Sequence, residues 1–555
     1  MQLSTLAKRG TPVLFLALIA FYLYGLGHLP LIGPDEPRYA QIAREMFLRS
    51  DLITPTLGGH VWFEKPALLY WMMIASYKLF GVSEWSARLP GAVSGVLTAA
   101  AIYCIAEAAA RRRRAERSET AAQLDGLGFW STLAAGTTLG IVVFSRAASF
   151  DIVVTMTLTW ALGLFIIGEL KADRKRESGY LAGFYVFMGL SLLAKGLIGI
   201  VIPIGVVGVY YLLRRRFPER KKLLSLVWGI PLTLAVAAIW YLPVTLKHGW
   251  PFIDQFFIQH QFARYVSNKY RHPAPPYFYL LILIPLGLPW TAFFISGIAK
   301  VRRWRWRGED QPGIDQFLVF ALSWFLVPLL FFSFANSKLP GYILPVLPAM
   351  ALIAGHELTR FNLEWETGRW AMRATAALSL LLAIAVPLYI WLVGRPWLKP
   401  AVMLALVLGA AGIFGLVMVR RRAGAVLLIA AALMLTILIA LKWIAPQPLE
   451  RQNTKRLLQL AHARGYSQAA IYGLVRDDRT PEFYAAGRVV YGPDNEPVMF
   501  EGAQPVIAES LSRGEPLLVF VALKDVNALV GIPSARADVI GDNGRIALVV
   551  VRAGE

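Results

Sequence analysis

Thirteen apolar stretches dominate this chain, at roughly 11–29, 88–110, 127–146, 151–170, 179–195, 196–213, 224–244, 277–298, 314–334, 341–357, 370–393, 399–419 and 424–444. Each is about as long as a helix needs to cross roughly 30 Å of hydrocarbon. The runs are continuous rather than alternating, so helices are the form that satisfies their backbone in lipid. With 57% hydrophobic and 16% charged residues, the composition agrees with a polytopic membrane protein. The first run lacks a small-residue cleavage site before the acidic residues that follow, and it reads as a retained span rather than a signal peptide.

The net charge of +21 lies mostly in short runs between the spans: Arg111–Arg114, Lys171–Arg176, Arg214–Arg216 with Arg220–Lys222, Lys300–Arg307 and Arg420–Arg422. That placement is the signature of cytoplasmic loops rather than of a nucleic-acid surface. Thirteen crossings put every one of these runs on a single side. The segment 66–80 is apolar but short and contains Lys78; counting it as a span breaks the pattern, so it is expected to lie along the interface. The single cysteine, Cys104, excludes an internal disulfide.

The far side then collects the unusual residues: the loops 28–87 and 245–276, Asp151, Lys195 and Ser337–Tyr342. The expected domains are a transmembrane body, 1–445, and a small α/β domain, 446–555, on that same far side. The latter carries strand-like patches at 469–474, 517–522 and 545–550.

Charged groups at a membrane boundary are costly and mark substrate or ion work by default. Asp35 and Glu36 sit in Pro-Asp-Glu-Pro-Arg, where a helix N-terminus explains one acid more readily than two. Asp151 opens a span after Ser149-Phe150 and is a second candidate carboxylate. Arg38, Lys65, Lys195, Arg264 and Lys338 stand where positive-inside bias disfavours cations. Together they suit a phosphate, with lysine as a point charge and arginine as a bidentate donor. Glu64 with His260 would ligate a divalent metal ion; without that, His260 touches phosphate. Tyr342 reads as an interface anchor or as a ligand to the same anion.

Four segments in order carry a resemblance: Pro-Asp-Glu-Pro-Arg-Tyr at 34–39, Phe-Glu-Lys-Pro at 63–66, Ala-Lys-Gly at 194–196 and Lys-Leu-Pro-Gly-Tyr-Ile-Leu at 338–344. Over residues 1 to about 350 the chain resembles the bacterial 4-amino-4-deoxy-L-arabinose lipid A transferases, relatives of the protein O-mannosyltransferases in the C-type glycosyltransferase superfamily. The resemblance implies an all-α polytopic inner-membrane enzyme with a periplasmic active site. It implies an undecaprenyl phosphate-aminoarabinose donor and a lipid A phosphate acceptor, and through them resistance to polymyxin. It assigns catalysis to Asp35, with Asp151 as a second carboxylate, and donor or acceptor phosphate binding to Arg38, Lys65, Lys195 and Tyr342; Glu64, Arg264 and Lys338 join them as binding candidates from their own positions in the chain. The chain departs from the family in FFIQHQFARY, where Gln259 precedes His260 and Arg264 is displaced by one residue.

Two alternatives remain. One is a sibling transferase moving mannose to protein or another sugar to lipid A. The other is a secondary transporter using Asp35 and Asp151 as ion sites, which clustering at one face rather than at the midplane disfavours.

Overall fold

A computed structural model describes residues 3–116, 124–171, 176–262, 273–307, 311–392, 397–417, 421–451, 453–473, 479–530 and 535–553. Helices occupy every apolar run. Among the described residues, nine are long and apolar enough to cross a membrane, and the bent pair Leu127–Thr137 and Leu139–Ser145 makes a tenth. The other three expected spans are helices too. Arg9–Leu23 and Ile198–Arg214 are short, and the run at 277–298 is split into Phe278–Leu286 and Thr291–Ala299. The interfacial segment forms the helix Leu68–Phe80.

Cα packing divides the chain into two compact units. The first comprises Met1–Tyr24, Phe63–Leu69 and Pro90–Ala440; the second comprises Gly25–Trp62, Tyr70–Leu89 and Leu441–Glu555. A division at 445/446 is therefore not the one that the packing makes: the C-terminal segment shares its unit with most of the 28–87 loop.

In the first unit, Pro340–Leu363 is the innermost span, with 94% of its apolar window buried, whereas Glu366–Leu392 keeps only 28% buried. The two broken spans explain each other. Leu139 N–H donates to the Leu288 carbonyl at 2.8 Å, and Trp290 Nε1 donates to Thr137 Oγ1 at 2.9 Å. Non-helical backbone inside a bundle survives where protein satisfies it, and each break supplies what the other lacks. Hydropathy alone could not register these breaks, because Gly287-Leu288-Pro289-Trp290 is itself apolar.

In the second unit, a four-stranded sheet has the order β3-β4-β6-β5, with β3 Ile471–Gly473, β4 Leu517–Ala522, β5 Ala535–Asp542 and β6 Ile546–Ala553. A two-stranded ribbon, β1 Thr56–Leu57 with β2 His60–Val61, lies in the loop. Strands β3 and β4 are parallel; β4–β6 and β5–β6 are antiparallel. Leu518, Phe520, Leu548 and Val550 enter one core, and Val519, Val521, Val549 and Val551 the other. Burial on both faces is why the central strands read as unbroken apolar runs. The edge strand β5, with its polar ADVIGD sequence and a bulge at Val539/Gly541, lacks that signal and is not among the expected patches.

Candidate active site

Helix Phe150–Leu170 starts at Ser149, whose hydroxyl accepts the Asp151 N–H at 3.1 Å. The cap is the ordinary device for an orphan N–H, and it places Asp151 in the first turn, where the helix dipole favours an anion. The neighbouring helix Glu177–Lys195 packs beside it and ends at Lys195, where the dipole favours a cation. The two ends meet, and Lys195 Nζ donates to Asp151 Oδ1 with the side chains 11% and 19% exposed.

Tyr342 covers this pair, its ring centroid 4.5 Å from Lys195 Nζ. It lies in the 3-10 segment Pro340–Val346. Gly341 comes so close that a Cβ there would collide with Asp151 Oδ2. The glycine of Lys-Leu-Pro-Gly-Tyr thus allows the loop to close over the carboxylate. Lys338 is turned inward: Nζ donates to the Ala335 carbonyl at 2.6 Å, just past the helix Gly313–Ser333. Three of the expected residues, Asp151, Lys195 and Tyr342, therefore form one cluster, with Lys338 on the backbone beside it.

In the same unit Glu64 and Lys65 pair with each other at 2.8 Å, both largely buried. Phe63 packs edge-on to His248 and Phe252, each with centroids 5.0 Å away. His260 lies in the π-helical segment Asp254–Phe262, and Arg264 lies outside the described residues. Among the described residues, no three His, Cys, Asp or Glu side chains gather as a metal site.

The second unit holds Asp35. It begins the helix Asp35–Leu48, is 56% exposed, and pairs with Arg38 at 3.3 Å. Arg38 in turn lies over the Trp62 ring at 5.4 Å. The adjacent Glu36 has a different task. Its carboxylate takes a two-point contact from Arg88, at 2.9 and 2.7 Å, and also accepts the Ile32 N–H at 3.0 Å. The remaining Arg88 donors reach the carbonyls of Leu26, Leu29 and Pro30 at 2.7–2.8 Å. All five guanidinium N–H groups are used, and the chain leading into Asp35 is tied at four points, the Leu26, Leu29 and Pro30 carbonyls and the Ile32 N–H.

The C-terminal segment completes that tie. Tyr484 Oη accepts the Leu31 N–H at 2.7 Å and donates to Glu84 at 3.2 Å, while Asn453 Nδ2 donates to the Leu31 carbonyl at 2.7 Å. Lys455 pairs with Glu84 at 2.5 Å, and Arg44 donates to the Phe483 carbonyl at 3.4 Å. Burial, reinforced by the Glu84 charge, holds the Tyr484 phenol protonated far above its ordinary range.

Sequence reasoning missed Arg88, Tyr484 and Asn453. Arg88 carried a signal, since an arginine entering an apolar helix needs a partner; the other two carry none.

Comparison with known proteins bears out the resemblance drawn from the four segments. A model of the dolichyl-phosphate-mannose-protein mannosyltransferase family matches residues 64–244. The undecaprenyl phosphate-alpha-4-amino-4-deoxy-L-arabinose arabinosyl transferase of Erwinia tasmaniensis is 30% identical over 388 residues, 69% of this chain and 65% of that protein. Its namesake from Aeromonas salmonicida is 32% identical over 355 residues, 63% and 59% respectively. The chain thus spans less than two thirds of the length of these curated relatives. The crystal structure of ArnT from Cupriavidus metallidurans bound to undecaprenyl phosphate superimposes with a TM-score of 0.80 at 25% identity, covering 98% of each chain.

Proposed function

We propose that this chain, similar over most of its length to the aminoarabinose transferases, is itself a glycosyltransferase of that kind. It moves 4-amino-4-deoxy-L-arabinose from undecaprenyl phosphate to a lipid A phosphate. The cationic sugar masks phosphate charge, and so weakens the binding of polymyxin and other cationic peptides. The observation that carries this reading is the 388-residue similarity to the Erwinia tasmaniensis transferase. The positive-inside pattern of the basic runs supports an inner-membrane orientation with Asp35, Asp151 and the C-terminal segment on the periplasmic face.

In the reaction, the bond between the anomeric carbon and the donor phosphate oxygen breaks, and an acceptor phosphate oxygen bonds to that carbon. The departing polyprenyl phosphate changes from a diester to a monoester and gains negative charge. Cations set in place beforehand lower the barrier for that departure. Lys195, held by Asp151 and the Tyr342 ring, is such a cation; Lys65, Arg38 and Arg264 are the further phosphate ligands, with Glu64 orienting Lys65. Lys338 steadies the loop that carries Tyr342. An anionic acceptor needs orientation rather than deprotonation, so Asp35 stabilises the positive charge that develops on the sugar.

A related transferase moving mannose to protein is the second reading, favoured by the family match at 64–244. Mass spectrometry of lipid A separates the two, in cells that lack their own transferase and express either the wild-type chain or Asp35→Asn. A pentosamine increment with wild type alone is the expected result. No increment, with the chain expressed and the donor present, would shift the assignment to another sugar or acceptor.

A further inference from the structure

The helix Phe150–Leu170 that presents Asp151 at one end presents Glu169 at the other, roughly 30 Å away at 1.5 Å per residue. A polar cavity lies there, of about 360 Å³, lined by five Lys or Arg and three Glu. Two of its acids, Glu169 and Glu177, are already answered. Lys222 pairs with Glu169 and lies 3.4 Å from Glu177, and Tyr211 donates to Glu169 at 2.5 Å. Arg214 lies 3.6 Å from Glu169 and also donates to Gln311 and Tyr210 at 2.9 and 2.6 Å. Arg216 has no ion pair among the described residues and is partly exposed at the cavity.

An apolar groove of about 910 Å³ opens from the same place between the helices Glu177–Lys195, Ile198–Arg214 and Arg220–His248. Met188, Ile204, Leu226 and Ile230 line it. Cavity and groove share Tyr211, Arg216, Phe217 and Lys222, so they form one amphipathic surface. Phe217 is 95% exposed at the junction, an aromatic placed as interfacial anchors are.

We propose that this surface is a binding site for one anionic phospholipid of the cytoplasmic leaflet, with its phosphate at Arg216 and an acyl chain along the groove. Cationic pockets between spans on the cytoplasmic side recognise such headgroups, and a lining with more cations than acids favours an anionic one. The assignment of the leaflet rests on the orientation proposed above. The site lies at the far end of the bundle from Asp151 and Lys195 and takes no part in the transfer.

The test is native mass spectrometry of the full chain, delipidated in detergent and titrated separately with phosphatidylglycerol, phosphatidylcholine and undecaprenyl phosphate, with transfer activity assayed in parallel. Phosphatidylglycerol is expected to be retained over phosphatidylcholine by roughly tenfold, the scale of one charge-assisted contact. Arg216→Gln should abolish that preference, and Ile204→Trp, at a position that is exposed in the groove, should lower retention of both phospholipids. Equal retention of the two by the wild type would overturn the proposal. So would a preference unchanged in Arg216→Gln, or one-for-one displacement of phosphatidylglycerol by undecaprenyl phosphate, which would make the groove a donor site. Loss of transfer with lipid preference intact would count against the transferase reading and leave the lipid site standing.

Discussion

Two adjacent acids, Asp35 and Glu36, end up with unlike roles because a helix turns neighbouring side chains about 100° apart. Glu36 points inward to Arg88 and Asp35 outward beside Arg38. Removing one partner of a buried pair strands the other, at a cost of about 3–5 kcal/mol. Arg88→Gln should therefore lower the thermal unfolding transition of the detergent-solubilised protein markedly. Arg88→Gln combined with Glu36→Gln should recover part of the loss, and equal effects in single and double variants would show that the pair is not coupled. Gly341→Ala is expected to leave expression normal and to cut transfer by about tenfold or more, since a methyl group there displaces the Asp151 carboxylate. An active Gly341→Ala enzyme in the lipid A assay would mean that the loop gives way without cost. The identities of Asp35, Asp151, Lys195 and Tyr342 as candidates were legible in the sequence. The closeness of Asp151 to Lys195 was not, because it depends on packing between residues 44 positions apart.

At the scale of elements, the antiparallel pair Phe150–Leu170 and Glu177–Lys195 brings an acidic N-terminus to a basic C-terminus, so each dipole favours the charge it carries. The Ser149 cap sets where the first of these helices begins. Ser149→Ala is expected to cost about 0.5–2 kcal/mol and to reduce transfer through the placement of Asp151, while Ser149→Asp should preserve both. Thermal unfolding and lipid A modification measured on the two variants would check this; an equal loss in both would point away from capping.

Within the second unit the C-terminal segment is a brace for the loop that carries Asp35. Tyr484 and Asn453 satisfy both backbone groups of Leu31, four residues before the carboxylate. Tyr484→Phe leaves the Leu31 N–H without that partner, a penalty of about 1–3 kcal/mol. It is expected to weaken transfer without preventing membrane insertion. Deleting 446–555 should abolish transfer while the spans still insert, as judged by membrane fractionation and lipid A mass spectra. Full activity in the truncated chain would remove the bracing role.

The placement of the apolar runs, their helical form and the residue types available for phosphate chemistry follow from local properties of the chain. Run length against bilayer thickness, and charge against its solvation cost, are set segment by segment. Tertiary packing alone decided that two spans break and repair each other at Thr137–Thr138 and Leu288–Trp290. Packing also joined the last hundred or so residues to Gly25–Trp62, and it turned Glu36 into a structural ion while leaving Asp35 exposed. Those outcomes depend on hydrogen-bond partners far apart in the chain, and no stretch of sequence carries the address of its distant partner.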